Sequence, residues 1–329
     1  MDATFEIPLI LSFQQCHGSS AALLDSSGQK AMGGVFSPCA GVTAGEDETD
    51  WFDALCSRRR EQIRALKKGG AAFVLLARQA SLAEMRASLL AARGTGLPVA
   101  VCPEFSEKGS PERFLAALIT LQAMGAAAYG LCGTPSSEML SAVKGMLPYA
   151  AIPFALLADA EPGQSPAAFA ESLRSFVEAG VRMIGCGRNT SQEHQLKLQQ
   201  MLKNYGPLEI SKEPDCYAAA TEREVFFLGD DIEFSHPLSC SSSLGDKLIR
   251  LDDERVSAAL VLLESVNDSV LLSQNSLMAK LPIAVRADSS AVLEAALRYF
   301  QGRLIIDSSS PIEAEILEPL AAKYGAILY

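Results

Sequence analysis

The feature that most constrains what this chain can fold into is a repeat. From about residue 70, a short apolar run, a polar turn and an amphipathic helix ending near glycine recur in series. The runs are Ala72 to Leu76, Leu97 to Cys102, Ala127 to Cys132, Ile152 to Leu157 and Val181 to Cys186. Helices are expected at Ser81 to Arg93, Ser110 to Met124, Ser136 to Leu147, Ser165 to Ala179 and Ser191 to Asn204. Each run is apolar throughout rather than alternating, which is how a parallel strand covered on both faces reads. Repeats of this kind leave two architectures, a closed (β/α) barrel or an open doubly wound sheet. No GxGxxG follows any run, which weakens the dinucleotide-binding form of the second.

Upstream, Ile7 to Phe13 and Gly33 to Ser37 are further strand candidates, and a helix is expected from about Thr49 to Lys68. That makes seven strands before residue 190, one short of a closed eight. Gly206 to Ala220, with two prolines and many polar residues, reads as a linker. A shorter β/α series follows, with strands near Val270 to Leu272, Ile283 to Ala287, Leu304 to Ile306 and Ala326 to Leu328. The expected organisation is a barrel over 1–205, a linker over 206–222 and a partial β/α segment over 223–329.

Charge and cysteine usage narrow the function classes. With 39 acidic against 28 basic residues and no basic stripe, a nucleic-acid partner is not expected. The run Ser57-Arg58-Arg59-Arg60 reads as a solvated helix face. No apolar run reaches the roughly 18 residues of a membrane helix, and the start MDATFEIPLILSF lacks the features of a signal peptide. The eight cysteines are scattered with no CxxC pair, which fits a reducing compartment and hence the cytoplasm.

Several segments resemble the barrel of the homocysteine S-methyltransferase family. They are GGAAFVLLARQASLAEMRASLLAARGTGLPVAVCPEFSEKG, AAAYGLCGTPSSEML, IPFALLADAEPG and FVEAGVRMIGCGRNTSQEH, in that order. The C-terminal stretch LPIAVRADSSAVLEAALRYFQGRLIIDSSSPIEAEILEPLAAKYGAILY resembles the early part of the pterin domain of cobalamin-dependent methionine synthase. The resemblance implies a TIM-type (β/α) barrel, here missing a strand, followed by a partial pterin-type segment. It also implies zinc on three cysteine thiolates, which would lower the pKa of a homocysteine thiol for methylation. Folate and cobalamin enter only by family analogy, as does a corrinoid protein as partner.

The motifs that would carry this chemistry are eroded. GLCGTP keeps Cys132 one place out of step with the family's Gly-x-Asn-Cys turn. Counting back from Glu193-His194, the family's adjacent cysteine pair falls on Gly187 and Arg188, with Cys186 displaced by one position. Such a shift changes which way a side chain points at a strand end, and an arginine puts a fixed charge where the metal would sit. Ala77 stands where the family has a carboxylate for the substrate amine. In the pterin-like segment Asn275 and Asp288 match strand-end positions, Asp307 stands for an asparagine and Ser273 for an aspartate.

Two readings of the thiols stay open. Cys16, Cys39, Cys102, Cys132 and Cys186 each fall at the C-terminal end of an expected strand, the face that carries active sites in a (β/α) barrel. They could form a rearranged zinc site, with His17 as a further ligand, or be scattered core thiols. Glu104 is a candidate for the substrate amine, Arg188 for a carboxylate, and Asp159 for the substrate rim. The leading expectation is a catalytically degenerate family member with a binding or scaffold role, its ligand a small thiol or amino acid. The alternatives are an active zinc-dependent thiol methyltransferase, and a structural module that self-associates through its second segment.

Overall fold

The computed structural model describes residues 9–14, 20–24, 30–36, 48–106, 110–205, 217–251 and 256–329, with 9–14, 20–24, 30–32 and 48–50 described by their backbone alone. The chain divides into two compact units. One comprises Met1–Val42, Leu55–Gly109 and Ala126–Pro214; the other comprises Thr43–Ala54, Ser110–Gly125 and Asp215–Tyr329.

Eight strands close the barrel: β1 (Leu9–Gln14), β2 (Ser20–Leu24), β3 (Lys30–Phe36), β4 (Phe73–Gln79), β5 (Val99–Pro103), β6 (Ala128–Gly133), β7 (Phe154–Ala158) and β8 (Met183–Cys186). Closure comes from β8 running parallel to β1, with Ile10 opposite Ile184. The missing strand is β2, which lies antiparallel to both β1 and β3. A hairpin meander thus replaces the first β-α-β crossover. It needs only a short turn where a parallel crossover needs a dozen or more residues, so the eighth strand fits within the first 30 residues. Sequence periodicity missed it because SAALL is short and has neither β-branched nor aromatic residues to mark it as a strand.

Helices α1 (Glu48–Lys68), α2 (Leu82–Ala92), α3 (Glu112–Ala123) and α4 (Ser137–Met146) follow strands β3 to β6 in turn. Serine caps set several starts: the hydroxyls of Ser81 and Ser136 accept the N–H groups of Glu84 and Met139, at 3.1 and 3.2 Å. The single helix expected over 165–179 is two, α5 (Pro166–Ser172) and α6 (Arg174–Ala179). At the break Ser172 Oγ donates to the Phe169 carbonyl at 2.7 Å, taking an acceptor from the helical ladder. Helix α7 (Gln192–Leu202) starts with a capping box in which His194 Nδ1 accepts the Ser191 N–H. Its Nε2 meets the Gln164 carbonyl at 3.0 Å, so His194 is built into the turn as the Nε2–H tautomer.

The two faces of the barrel strands carry different residues. On β3, a Cβ at Gly34 would enter the Leu66 side chain of α1, so Gly34 faces the helix and Val35 the interior. The interior cluster continues through Phe73, Leu75, Ala77, Cys102, Cys132 and Leu157, all buried. Much of this lining is alanine or cysteine. Gly130 also permits close packing, since a Cβ there would collide with the Ala155 carbonyl.

In the second unit five strands, β11 (Leu238–Ser239), β12 (Ala259–Leu263), β13 (Ile283–Ala287), β14 (Ile305–Ile306) and β15 (Ile327–Leu328), form a parallel sheet in sequence order. Helices α8 (Leu244–Arg250), α9 (Val266–Asn275), α10 (Ser290–Tyr299) and α11 (Ala314–Tyr324) connect them. Val270 to Leu272 lies inside α9, so the strand expected there is helical, and the strand is Ala259–Leu263. A capping box decides this: Ser265 Oγ accepts the Asp268 N–H while the Asp268 carboxylate accepts the N–H groups of Ser265 and Glu264. The end of the expected linker is also ordered, as β9 (Ala218–Ala220) paired with β10 (Val225–Phe227). Arg303 holds it there: its N–H donates to Ala220 O at 2.7 Å and its Nη1 to Ala218 O at 2.9 Å. Ala219, Ile232 and Phe234 pack against Leu260, Ala284 and Ile305, covering one face of the sheet.

Candidate functional site

The C-terminal ends of β4 to β8 gather three of the residues expected there. Asp159 follows β7, and its N–H donates to Gly133 O at 2.9 Å. Glu104 follows β5, its N–H bound to Gln79 O at 3.3 Å, and Arg188 follows β8. What joins them is Arg78, a residue the sequence reading passed over. Its Nη2 donates to Asp159 Oδ1 and its Nη1 to Glu104 Oε1 at 3.1 Å. Arg188 Nη1 reaches the same Glu104 oxygen at 3.3 Å, and the Arg188 N–H donates to Asp159 Oδ1 at 2.6 Å. Two guanidinium groups and two carboxylates thus form one network across the barrel mouth.

A local irregularity places Arg78. The β4–β5 register slips between Ala77 and Gln79, and Arg78 has a φ of 58°. Such left-handed backbone costs a non-glycine residue roughly 1–2 kcal/mol and persists where the surroundings over-determine it. Here two carboxylates do so. The Arg78 side chain is 14% exposed and that of Asp159 10%, whereas Glu104 and Arg188 stand at 44% and 63%. Burial works against the Arg78 charge; the hydrogen bond and charge of Asp159, helped by Cys132 and Glu104, outweigh it and raise the pKa above its usual value. The available signal was an arginine closing an otherwise apolar strand run, FVLLARQ.

The cysteines divide. Cys102 and Cys132 both line the interior, and Cys132 Sγ donates to the Cys102 carbonyl at 3.0 Å. The contact with Cys132, together with full burial, raises the Cys102 pKa well above the normal thiol range. On β8 it is Met183 that faces the interior, so by alternation Cys186 lies on the opposite, helix-facing side. Burial pushes its pKa up to about 12. Cys16, His17 and Cys39 lie outside the described residues. Among the described residues no three His, Cys, Asp or Glu side chains are grouped to hold a metal ion.

The three pterin-like positions do not share one end of the sheet. Asp288 follows β13 and is exposed. Asp307 follows β14, buried, with its Oδ2 on Arg286 Nε and Nη2 at 2.6 and 2.5 Å and its Oδ1 accepting the Ser309 N–H. Asn275 is not at a strand end. It closes α9, which carries the chain back from the C-terminal end of the strands, and its Nδ2 donates to Leu271 O at 2.8 Å. Expecting a strand at 270–272 had put it at the wrong end.

A family model described as homocysteine S-methyltransferase matches residues 18–202, more than half of the chain. The chain belongs to the homocysteine S-methyltransferase family. Among solved structures it is similar to the homocysteine methyltransferase MmuM from Escherichia coli, apo form, at 17% identity and a TM-score of 0.41. The metallated form of that enzyme gives 16% identity and the same TM-score. The match covers 51% of this chain and 61% of the apo enzyme's chain, or 60% of the metallated one. A dipeptide epimerase from Methylococcus capsulatus in complex with magnesium is similar over 91% of this chain and 89% of its own, at 12% identity and a TM-score of 0.24. No curated protein matches the chain.

Within this family the implied zinc can be tested against the mouth. Position 187, one of the two to which the resemblance assigns a cysteine, has no room for a Cβ. Such an atom would collide with Asp159 Oδ1 and lie 3.2 Å from Arg78 Nη2. At the other position, 188, stands a cation. The described residues do not fit a zinc ion here. Nor is any helix among the described residues long and apolar enough to cross a membrane.

Proposed function

We propose that this family member is catalytically degenerate and serves as a binding or scaffold protein in methyl-transfer metabolism, taking a small amino acid at its barrel mouth. The observation that carries this reading is the pairing of Glu104 with Arg188. Both are substantially exposed, and they meet through one contact of 3.3 Å. An α-amino acid brings an ammonium and a carboxylate, which this anion and cation could each receive; the guanidinium fork suits a carboxylate in particular. Asp159, tied to Arg78, would hold the floor beneath the ligand rather than touch it. A corrinoid protein is the partner class that the reading implies.

Calorimetry with homocysteine and a panel of amino acids tests it. Saturable binding that weakens about tenfold or more in Arg188→Ala and in Glu104→Gln is the expected result. Absence of binding by the folded wild-type protein across the panel would sink the reading.

A further inference from the structure

The family's chemistry calls for a cation at the barrel mouth, and this mouth already contains one that is covalently part of the chain. We propose that the Arg78 guanidinium, clasped by Asp159 and Glu104, is the resident cation of the mouth and takes the place of a metal ion there.

Three observations converge on it. Arg78 stretches from the end of β4 to the carboxylate after β7, so its planar head lies across the opening, and its side chain is only 14% exposed. Asp159 Oδ1 is shared between Arg78 Nη2 and the Arg188 N–H, which pins the clasp to the very turn where the resemblance places the cysteine pair. Gly187, in that turn, leaves the volume that the ion pair fills: any side chain there would enter Asp159. The ion pair, as placed, therefore requires glycine at 187. Within this network of described residues two guanidinium groups stand against two carboxylates, so the network itself carries no anionic surplus to attract a dication. A metal ion on Asp159 would take the carboxylate that holds Arg78 and leave a largely buried guanidinium with only the half-exposed Glu104 to balance it.

The test uses cobalt(II), whose thiolate charge-transfer absorbance reports cysteine ligation. The reduced full-length protein is titrated alongside Cys132→Ser and Cys186→Ser. No absorbance that depends on either cysteine is the expected result. An absorbance saturating at one equivalent and falling in either variant would overturn the inference. A second arm asks whether the clasp is the cause. Gly187→Cys/Arg188→Cys should bind cobalt at least about tenfold more weakly with Arg78 present than in the Arg78→Ala background. Equal binding in the two backgrounds would also overturn it, and if these variants do not fold the wild-type titration decides. Because this readout is metal ligation and the preceding one is amino-acid binding, either reading can fail without the other.

Discussion

At the scale of single residues, stability at the barrel mouth should depend on volume and on charge separately. Gly187→Ala inserts a methyl group against the Asp159 carboxylate, so it should destabilise by roughly 1–3 kcal/mol in denaturant unfolding, the usual cost of overpacking. Asp159→Asn keeps the shape and removes the charge. With both partners largely buried, breaking the pair should cost about 3 kcal/mol, and Arg78→Met/Asp159→Asn should cost less than the sum of the two single changes. Additive effects would mean that the pair is not coupled. The buried thiols give a third outcome. Since burial holds Cys186 near 12, and the contact with Cys132 together with burial holds Cys102 well above the normal range, neither should be alkylated at pH 8 in the folded protein. Mass spectrometry of labelled native protein checks this.

At the scale of elements, the contact between α10 and α11 carries a pH dependence whose sign can be worked out. The hydrogen bond from Lys323, at 2.6 Å, holds the Glu294 carboxyl below its ordinary value against the opposing effect of partial burial, and Tyr324 Oη donates to the same oxygen at 3.0 Å. A carboxylate with a lowered folded-state pKa contributes stability above its unfolded pKa and loses it as pH falls through the folded one. The stability difference between wild type and Lys323→Met should therefore be full above roughly pH 5 and fade in more acid solution. A difference that grows on acidification would contradict the assignment. Local sequence decided several elements outright, because a serine cap or capping box needs only residues three apart. The strand at 218–220 is of the other kind. It exists through Arg303 and through Gly302, where a Cβ would strike the Ala220 carbonyl, and both are remote in sequence.

At the scale of the whole molecule, barrel closure rests on β2, which has neighbours on both sides. Ala22 sits at its middle, opposite Ser12 and Met32. Ala22→Pro removes a ladder hydrogen bond and fixes φ, so it should open the barrel, and circular dichroism should show a broadened, less cooperative thermal transition. An unchanged transition would mean that closure contributes little to the cooperativity of this unit.

The sequence by itself determined the succession of buried strands and capped helices, because five-residue apolar runs and serine caps act within a few residues of themselves. It placed Glu104, Asp159 and Arg188 at strand ends on one face of the barrel for the same reason. The antiparallel β2, the helix at 266–275 in place of a strand, the outward side of Cys186 and the role of Arg78 were decided only by the tertiary structure. Each depends on register or on groups far apart in the chain. Arg78 is 81 residues from the carboxylate that holds it, and no local pattern encodes which carboxylate an arginine will meet across a closed barrel.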